Sequence, residues 1–280
     1  MRIRRFSGGN CVKRRWLAAL IVLATLAGCV TSPTGRTQFL LISPEAAIAQ
    51  SRTAYVQTVG QLRRDGKLLD DPLLGDRLAI ITGRLVAVTV ARYPHTATWN
   101  WSVAMIDEPD TVNAWCMAGG RMAVYNGLVD KLDLTDDELA QIMGHEISHA
   151  VANHTAERMS MAIAQGIGVL AVGAATDDEG ARRGAQLAAV LAIELPNSRV
   201  GEREADRMGI EIAARAGYDP AAAVTLWRKM EREGGTGPPQ FLSTHPNPAN
   251  RRETLAALGQ QMQALRPAAP PEPRPVEILP

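Results

Sequence analysis

The stretch "TDDELAQIMGHEISHAVANH", residues 135–154, contains three of the five histidines of the chain behind a clear helix-start signal. Thr135 and Glu138 have the spacing of a capping box, and the acidic residues of the first turn suit the positive end of a helix. Apolar residues recur at helical spacing, at positions 139, 142, 143, 147 and 151. The stretch therefore predicts an amphipathic helix with one buried face.

His145 and His149 are four residues apart, so on a helix both imidazoles lie on one face and can bind the same tetrahedral ion. Glu146 lies beside them and can reach a water molecule without being a ligand. This is the H-E-x-x-H arrangement, which predicts one zinc ion per chain with Glu146 as general base. The alternative is a surface helix with solvated histidines, and His154, five residues past His149, is predicted to be such a residue.

A catalytic zinc site needs a third protein ligand and an open position. The sequence "HEISHAVANHT" lacks the histidine of the longer H-E-x-x-H-x-x-G-x-x-H pattern, so the third ligand must lie further away. The best candidates are Glu202 and Asp206, four residues apart on the predicted helix of "NSRVGEREADRMG", residues 197–209. One could bind zinc while the other orients a histidine, and spacing does not decide between them. A charged, solvated helix face is the alternative, and Glu204 is predicted to be solvated or paired with an arginine.

Several segments together resemble one protein family. They are "HEISH", "EREAD" about 50 residues later, "STHP", "GRTQFLLIS", "VNAWCMAGGRMAVYNGLV" and "GYDPAAAVTLWRKM". This set is similar to the HtpX/BepA/LoiP family of zinc metallopeptidases, whose eukaryotic relatives include the Oma-type mitochondrial protease and the CAAX prenyl protease. The resemblance covers roughly residues 34–258. It implies a gluzincin-like domain, mainly α with a small β-sheet (α+β), in which Glu202 is the third ligand and Asp206 lies behind the ligands.

The resemblance also implies roles for two further segments. His245 of "STHP" would lie on a loop over the zinc, where it either stabilises the oxyanion or occupies the open coordination position at rest. Asn113, Ala114, Trp115 and Cys116 match an edge strand that pairs with an extended substrate. Trp115 and Cys116 replace the usual Phe and Ala, which could alter a subsite without altering the chemistry.

The N-terminus predicts export and a lipid anchor. Residues 1–28 contain six Lys/Arg and no Asp/Glu, followed by the apolar run "WLAALIVLATLA", which is short for a membrane span. The junction "LAGC" resembles the bacterial lipobox and predicts acylation of Cys29. Val30, in place of an aspartate, favours the outer membrane. With Cys11 removed and Cys29 acylated, Cys116 has no partner for an intramolecular disulfide and is predicted to pack as a small apolar residue.

The rest of the chain divides into a leader at residues 29–43, a peptidase domain at 44–264 and a disordered proline-rich tail at 265–280. The leader is predicted to be exposed. Residues 159–176 predict a buried or membrane-touching helical hairpin, with a membrane span as the alternative. The other predicted elements are helices at about 44–62, 72–91, 181–194, 198–215, 220–233 and 247–264, a strand at 98–106, and two short strands around Gly119-Gly120.

The sequence therefore predicts a lipid-anchored zinc endopeptidase of the bacterial envelope, on the periplasmic face of the outer membrane. Without residues 1–28 the chain has 24 basic and 29 acidic residues, which gives no reason to expect nucleic-acid binding. Misfolded or misassembled envelope proteins are the substrates that the resemblance implies, and the lack of a clear TPR repeat favours a LoiP-like layout. The alternatives are a zinc-bound chaperone or assembly factor with little turnover, and a non-enzymatic envelope lipoprotein.

Overall fold

The computed structural model describes residues 29–175, 199–233, 240–245 and 250–280. The predicted signal peptide and the predicted helix at 181–194 lie outside these ranges. Within the described ranges, no helix combines the length and the apolar character that a bilayer crossing requires. The protein is mainly helical with small sheets, as the sequence predicts.

Two long helices begin where the sequence places them. Helix α1 spans Pro44–Arg64 and helix α2 spans Pro72–Arg92. The side chain of Ser43 accepts a hydrogen bond from the Ala46 amide, and Asp71 accepts from two amides of the first turn of α2. Proline follows each cap at a position where its missing N–H costs nothing.

A four-stranded sheet has the order β4-β5-β3-β6, with β3 at Ser102–Ile106, β4 at Ala114–Met117, β5 at Arg121–Tyr125 and β6 at Glu277–Leu279. Strands β4 and β5 form the predicted hairpin, and Gly119 and Gly120 take positive φ angles of 88° and 83° in its turn. The strand predicted at 98–106 begins only at Ser102, because Pro94–Thr98 forms a 3₁₀ turn.

The C-terminal tail was predicted to be disordered, and this prediction is wrong. Strand β6 pairs in parallel with β3, and the Arg274 amide donates to the Gly83 carbonyl of α2 at 3.0 Å. Val276 and Ile278 pack against the core. Proline content alone predicted disorder, but the short apolar segment at 276–279 finds an open strand edge. The tail therefore belongs to the domain, which extends beyond residue 264.

The leader was predicted to be exposed, and this prediction is only partly correct, because several of its residues are exposed and others are buried in the domain. Strands β1, Cys29–Thr31, and β2, Thr37–Phe39, form a small antiparallel hairpin. Gln38 is fully buried, and its side-chain amide donates to the Ala152 carbonyl at 2.7 Å. A polar leader can be buried here because its side chains find hydrogen-bond partners in the domain.

The helix that carries the HEISH motif lies at the centre of the domain. Helix α3 is Asn126–Lys131. Helix α4, Asp136–Val151, begins at the predicted capping box and packs against α2, β4 and the later helix Ala222–Glu233. Its apolar stripe is fully buried, at Leu139, Ile142, Met143, Ile147 and Val151. The polar face is buried too, since His145, Glu146 and His149 are at most 6% exposed. The sequence predicted that one face of α4 is buried, whereas both its apolar face and its polar face are buried.

The remaining helices surround α4. Helix α5 is His154–Ala175, α6 covers residues 199–215, α7 is Ala222–Glu233, α8 is Gln240–Thr244 and α9 is Arg251–Met262. Residues 159–175 of the predicted hairpin belong to the single helix α5, and the predicted turn after it lies outside the described residues. The helices predicted at 198–215 and 220–233 are present, while α9 begins later than the predicted 247.

Helices α4 and α6 approach each other closely at two glycines. A Cβ atom on Gly144 would lie 2.8 Å from the Gly209 carbonyl oxygen, and one on Gly209 would lie 2.7 Å from the backbone nitrogen of His145. Both distances are shorter than real Cβ contacts, and both are to backbone, which cannot rotate away. The two glycines therefore set the distance between the helix that carries the histidines and the helix that carries Glu202.

We expect Gly144→Ala to lower the free energy of unfolding by about 1–3 kcal/mol, as overpacking does, and to weaken metal binding because α4 and α6 must separate. Gly166→Ala on α5 is the matched control, since nothing lies within 4 Å of its added Cβ. That control should change stability by less than about 1 kcal/mol, in the stabilising direction. Thermal unfolding and zinc titration measure both effects. Equal behaviour of the two variants would contradict the close approach.

Candidate metal centre and active site

Three side chains from two helices converge on one point. His145 and His149 project from α4 with their Nε2 atoms 3.0 Å apart. Glu202 projects from α6, with Oε2 3.4 Å from Nε2 of His145 and Oε1 3.3 Å from Nε2 of His149. All three side chains are less than 10% exposed. The predicted ligand set is therefore brought together in a buried position.

The dimensions of this cluster fit a metal ion. Ligands held at about 2.0–2.1 Å in a tetrahedral arrangement lie roughly 3.3 Å from one another, close to the three separations above. With His245 included, all four ligand atoms lie within 4.8 Å of one another. The buried Oε2 atom of Glu202 accepts no well-aligned hydrogen bond, although Nε2 of His145 and the Arg251 guanidinium lie 3.4 and 3.3 Å away, and this leaves the oxygen able to bind a cation. Two imidazoles and one carboxylate are a donor set typical of zinc.

Asp206 lies behind the cluster rather than in it. Its Oδ1 atom is 3.0 Å from Nδ1 of His145, and it accepts a hydrogen bond from Arg251 at 2.6 Å. The guanidinium of Arg251 stacks on Trp227, 3.9 Å from the ring centroid, and is also 3.3 Å from Glu202. Asp206, held by Arg251, therefore fixes the orientation of the His145 ring through Nδ1, on the opposite side of the ring from Nε2.

The protonation of the cluster follows from its contacts. Burial works to lower the pKa of His145, but its hydrogen bonds to Asp206 and Glu202 raise it to about 10. Burial works to raise the pKa of Glu202, but its hydrogen bonds with His145 and His149 lower it well below the usual range. Glu202 is therefore ionised, as a metal ligand must be.

The side chain of Glu146 lies next to the predicted ligands but is directed towards strand β4. Its Oε2 atom accepts a hydrogen bond from the backbone amide of Cys116 at 3.1 Å, and its Oε1 atom is buried without a hydrogen-bond partner. Burial raises the pKa of Glu146 to about 7. A carboxylate with such a pKa can accept and release a proton near neutral pH.

His245 lies beside the same cluster, at the end of α8. Its ring centroid is 5.2 Å from those of both His145 and His149, and its Nε2 atom is 3.4 Å from Oε1 of Glu146. Its Nδ1–H donates to the Phe241 carbonyl at 3.1 Å, and its ring stacks on the Phe241 ring. Burial, with the nearby His145, lowers the pKa of His245 to about 4. The residue is therefore positioned as a neutral imidazole.

The predicted edge strand borders the site. Within the described part of the chain, β4 pairs with β5 on one side and is the terminal strand of its sheet on the other. The amide of Cys116 points out of that terminal edge towards Glu146. The side chain of Trp115 lies on a face of the sheet, where its ring centroid is 5.9 Å from that of Tyr55. Cys116 is buried, as predicted, and burial raises the pKa of its thiol.

Comparison with known proteins identifies the family. The sequence pattern of peptidase family M48 matches residues 76–258, more than half of the chain. The chain belongs to this family. The match spans α4 with both histidines, α6 with Glu202 and Asp206, and the segment with His245, which confirms the family resemblance and the metallopeptidase fold predicted from the sequence.

Individual relatives agree with this assignment. The chain is 32% identical over 196 residues to the mitochondrial metalloendopeptidase OMA1 of Arabidopsis thaliana, covering 70% of this chain and 39% of the relative. It is 30% identical to the OMA1 of Bos taurus, covering 88% and 50%, and 29% identical to the β-barrel assembly-enhancing protease of Escherichia coli K12, covering 74% and 43%. The chain thus spans half or less of the length of these relatives.

One residue near the site, His154, was misjudged from the sequence, and a second, Glu204, was judged correctly in one of its two alternatives. His154 was predicted to be a solvated bystander, but it is 4% exposed and its Nδ1 atom is 2.7 Å from Nδ1 of His149. Glu204 was predicted to be solvated or paired with an arginine; it is buried, and Arg36 donates to it at 2.9 Å, so only the arginine pairing is correct. The error for His154 arises because α4 ends at Val151 and Asn153 has a positive φ of 57°. The prediction treated residues 145–154 as one continuous helix, in which His154 would point away from His149.

Proposed function

We propose that this protein is a zinc-dependent endopeptidase whose metal ligands are His145, His149 and Glu202. The observation that carries the proposal is the buried convergence of two Nε2 atoms and a carboxylate within 3.0–3.4 Å of one another, with Glu146 beside them. Three protein ligands leave a fourth position for water or substrate, which is typical of catalytic rather than structural zinc sites. Membership of peptidase family M48 supports the same reaction class.

The chemistry follows from the positions of the side chains. When bound, zinc supplies a Lewis acid that polarises a carbonyl and makes water a better nucleophile. Glu146 accepts the proton of the attacking water and later transfers it to the leaving amine, a role that suits its pKa of about 7. The amide of Cys116 holds the Glu146 carboxylate in place through Oε2, which leaves Oε1 available for the proton. Asp206 orients His145.

His245 can serve this reaction in either of the two roles that the resemblance implies. Placed among the ligand atoms, it would complete a four-residue set and close the site, which is a resting arrangement. Moved aside on the short helix α8, and carrying a proton on Nε2, its imidazole would donate to the oxygen of the scissile carbonyl and stabilise the charge that develops there. Both roles require His245 to be close to the predicted ligands, and its ring centroid lies 5.2 Å from those of His145 and His149.

The substrate is proposed to bind as an added strand along β4, at residues 113–116. The terminal edge of this strand faces Glu146, so an extended peptide paired there would place a carbonyl next to the metal ligands. Main-chain pairing requires an unfolded or extended segment and is largely independent of sequence. This supports misfolded or misassembled proteins as substrates.

We further propose that the protein is anchored to the periplasmic face of the outer membrane through an acylated Cys29. The "LAGC" junction and the charge of residues 1–28 support this location. A relative whose name describes a β-barrel assembly-enhancing protease supports a role in envelope protein quality control. Cys29 is the first residue of the leader that is folded onto the domain.

Zinc analysis and casein cleavage by the full-length chain test the proposed activity. We expect about one zinc ion per chain, cleavage that a chelator abolishes, and recovery on addition of Zn²⁺. Cleavage that is unaffected by removal of all metal would contradict the proposal. A chain that binds zinc and suppresses aggregation of an unfolded protein but does not cleave casein would instead favour the chaperone alternative.

A further inference from the structure

His149 has an unusual partner on the side away from the metal site. A ligand histidine normally donates its second ring N–H to a carboxylate, a carbonyl or water, as His145 does to Asp206. His149 instead faces another imidazole, with its Nδ1 atom 2.7 Å from Nδ1 of His154. Because His149 uses Nε2 for the metal, its Nδ1 carries the proton, and His154 must accept at Nδ1.

The direction of this hydrogen bond determines which nitrogen of His154 carries its proton. A neutral His154 that accepts at Nδ1 carries its proton at Nε2, and that atom lies 3.2 Å from Oε2 of Glu204. The proton is therefore donated to a carboxylate.

The leader completes the chain of contacts. Thr34 donates to Oε1 of Glu204 at 2.5 Å, and Nε of Arg36 donates to Oε2 at 2.9 Å. The other end of the Arg36 guanidinium binds both oxygens of Glu157, each at 2.7 Å. Arg36 is thus the leader cation that neutralises two buried carboxylates, one of which holds His154. Gln38 adds a hydrogen bond to Glu157 at 2.9 Å.

We propose that His154, Glu204 and Arg36 form a positioning relay that fixes the imidazole of His149 for metal binding and makes metal retention depend on the docked leader. None of the three residues reaches the ligand atoms; each acts through the next. The leader begins at Cys29, so the same segment that would join the domain to a lipid anchor also holds a metal ligand in place. The inference rests on the proposed zinc site.

The dissociation constant for Zn²⁺ tests the relay, measured on the metal-free full-length chain by competition with a zinc-binding dye. We expect His154→Leu to raise the constant about 10- to 100-fold, as loss of a partner behind a ligand does, and Arg36→Ala to raise it about 10-fold. His154→Gln keeps one acceptor and one donor and should restore most of the affinity. The visible spectrum of the Co²⁺-loaded chain should change with His154→Leu.

A matched arginine substitution separates the relay from general destabilisation. Arg77→Ala removes an ion pair with Asp136 at the other end of α4, far in sequence from His149. It should lower the melting temperature of the metal-free chain without changing the zinc dissociation constant. Should His154→Leu fail to fold, Arg36→Ala decides, since Arg36 is partly exposed on the leader.

Two results would overturn the relay. The first is an unchanged zinc dissociation constant in both Arg36→Ala and His154→Leu. The second is an equal loss of affinity in Arg36→Ala and Arg77→Ala. Failure of the unaltered chain to bind Zn²⁺ is a different result, which would remove the proposed zinc site and the relay together.

Discussion

Replacement of Glu146 by glutamine is expected to lower casein cleavage by about 10²- to 10⁴-fold while zinc content stays at that of the unaltered chain. Glutamine has nearly the same shape and can still accept the hydrogen bond from the Cys116 amide. It cannot take a proton from water. Because Glu146 is not one of the ligand atoms, the metal should remain bound. The rate of cleavage and the zinc content are measured on the same preparation.

The matched control is Glu138→Gln, a second buried glutamate of the same helix. Glu138 lies in the capping box and accepts hydrogen bonds from Lys229 and Thr225, about two turns from the metal ligands. Glutamine preserves the capping box but weakens the interaction with Lys229, so we expect lower stability and unchanged cleavage. If Glu146→Gln kept its zinc and cleaved as well as the unaltered chain, the peptidase mechanism would be wrong.

Signals confined to a few neighbouring residues were sufficient to predict much of the fold. The caps at Ser43, Asp71 and Thr135 are side-chain contacts over two or three residues, and each helix begins where its cap predicts. The H-E-x-x-H spacing likewise needs only one turn of helix. For this reason His145, Glu146 and His149 could be placed without knowledge of the tertiary structure.

Features that depend on distant contacts could not be derived from the sequence in this way. Spacing did not choose between Glu202 and Asp206, because the choice depends on how α6 is turned against α4 at the Gly144–Gly209 crossing. The burial of His154 required knowing that α4 ends before it, at the turn of Asn153. The tail is ordered because β6 pairs with the open edge of β3, and that edge exists only in the assembled sheet.

The placement of the leader also depends on contacts with residues that are distant in the sequence. The leader was predicted to be exposed because it follows the proposed lipid anchor. Arg36 and Gln38 are held in the domain because Glu157 and Glu204, more than a hundred residues later, supply partners of matching charge and hydrogen bonding. A buried carboxylate is itself a signal that a cation must lie nearby. That signal becomes visible only once burial is known.

Glu202→Gln is expected to weaken zinc binding more than about 100-fold, beyond the loss expected for a residue behind a ligand. Glu202 is the carboxylate whose oxygens lie 3.3–3.4 Å from both Nε2 atoms, and a neutral amide is a much poorer ligand for zinc. Glutamine preserves the volume, so the helix packing should survive. The zinc dissociation constant and the melting temperature of the metal-free chain are measured together.

Asp206→Asn provides the comparison, with an expected loss of about 10- to 100-fold. The asparagine can still accept from Nδ1 of His145, but it no longer neutralises Arg251, whose guanidinium is also 3.3 Å from Oε2 of Glu202. Arg251 should then pair more strongly with Glu202 and compete with zinc for that oxygen. A greater loss for Asp206→Asn than for Glu202→Gln would reverse the two roles, and the ligand would then be Asp206.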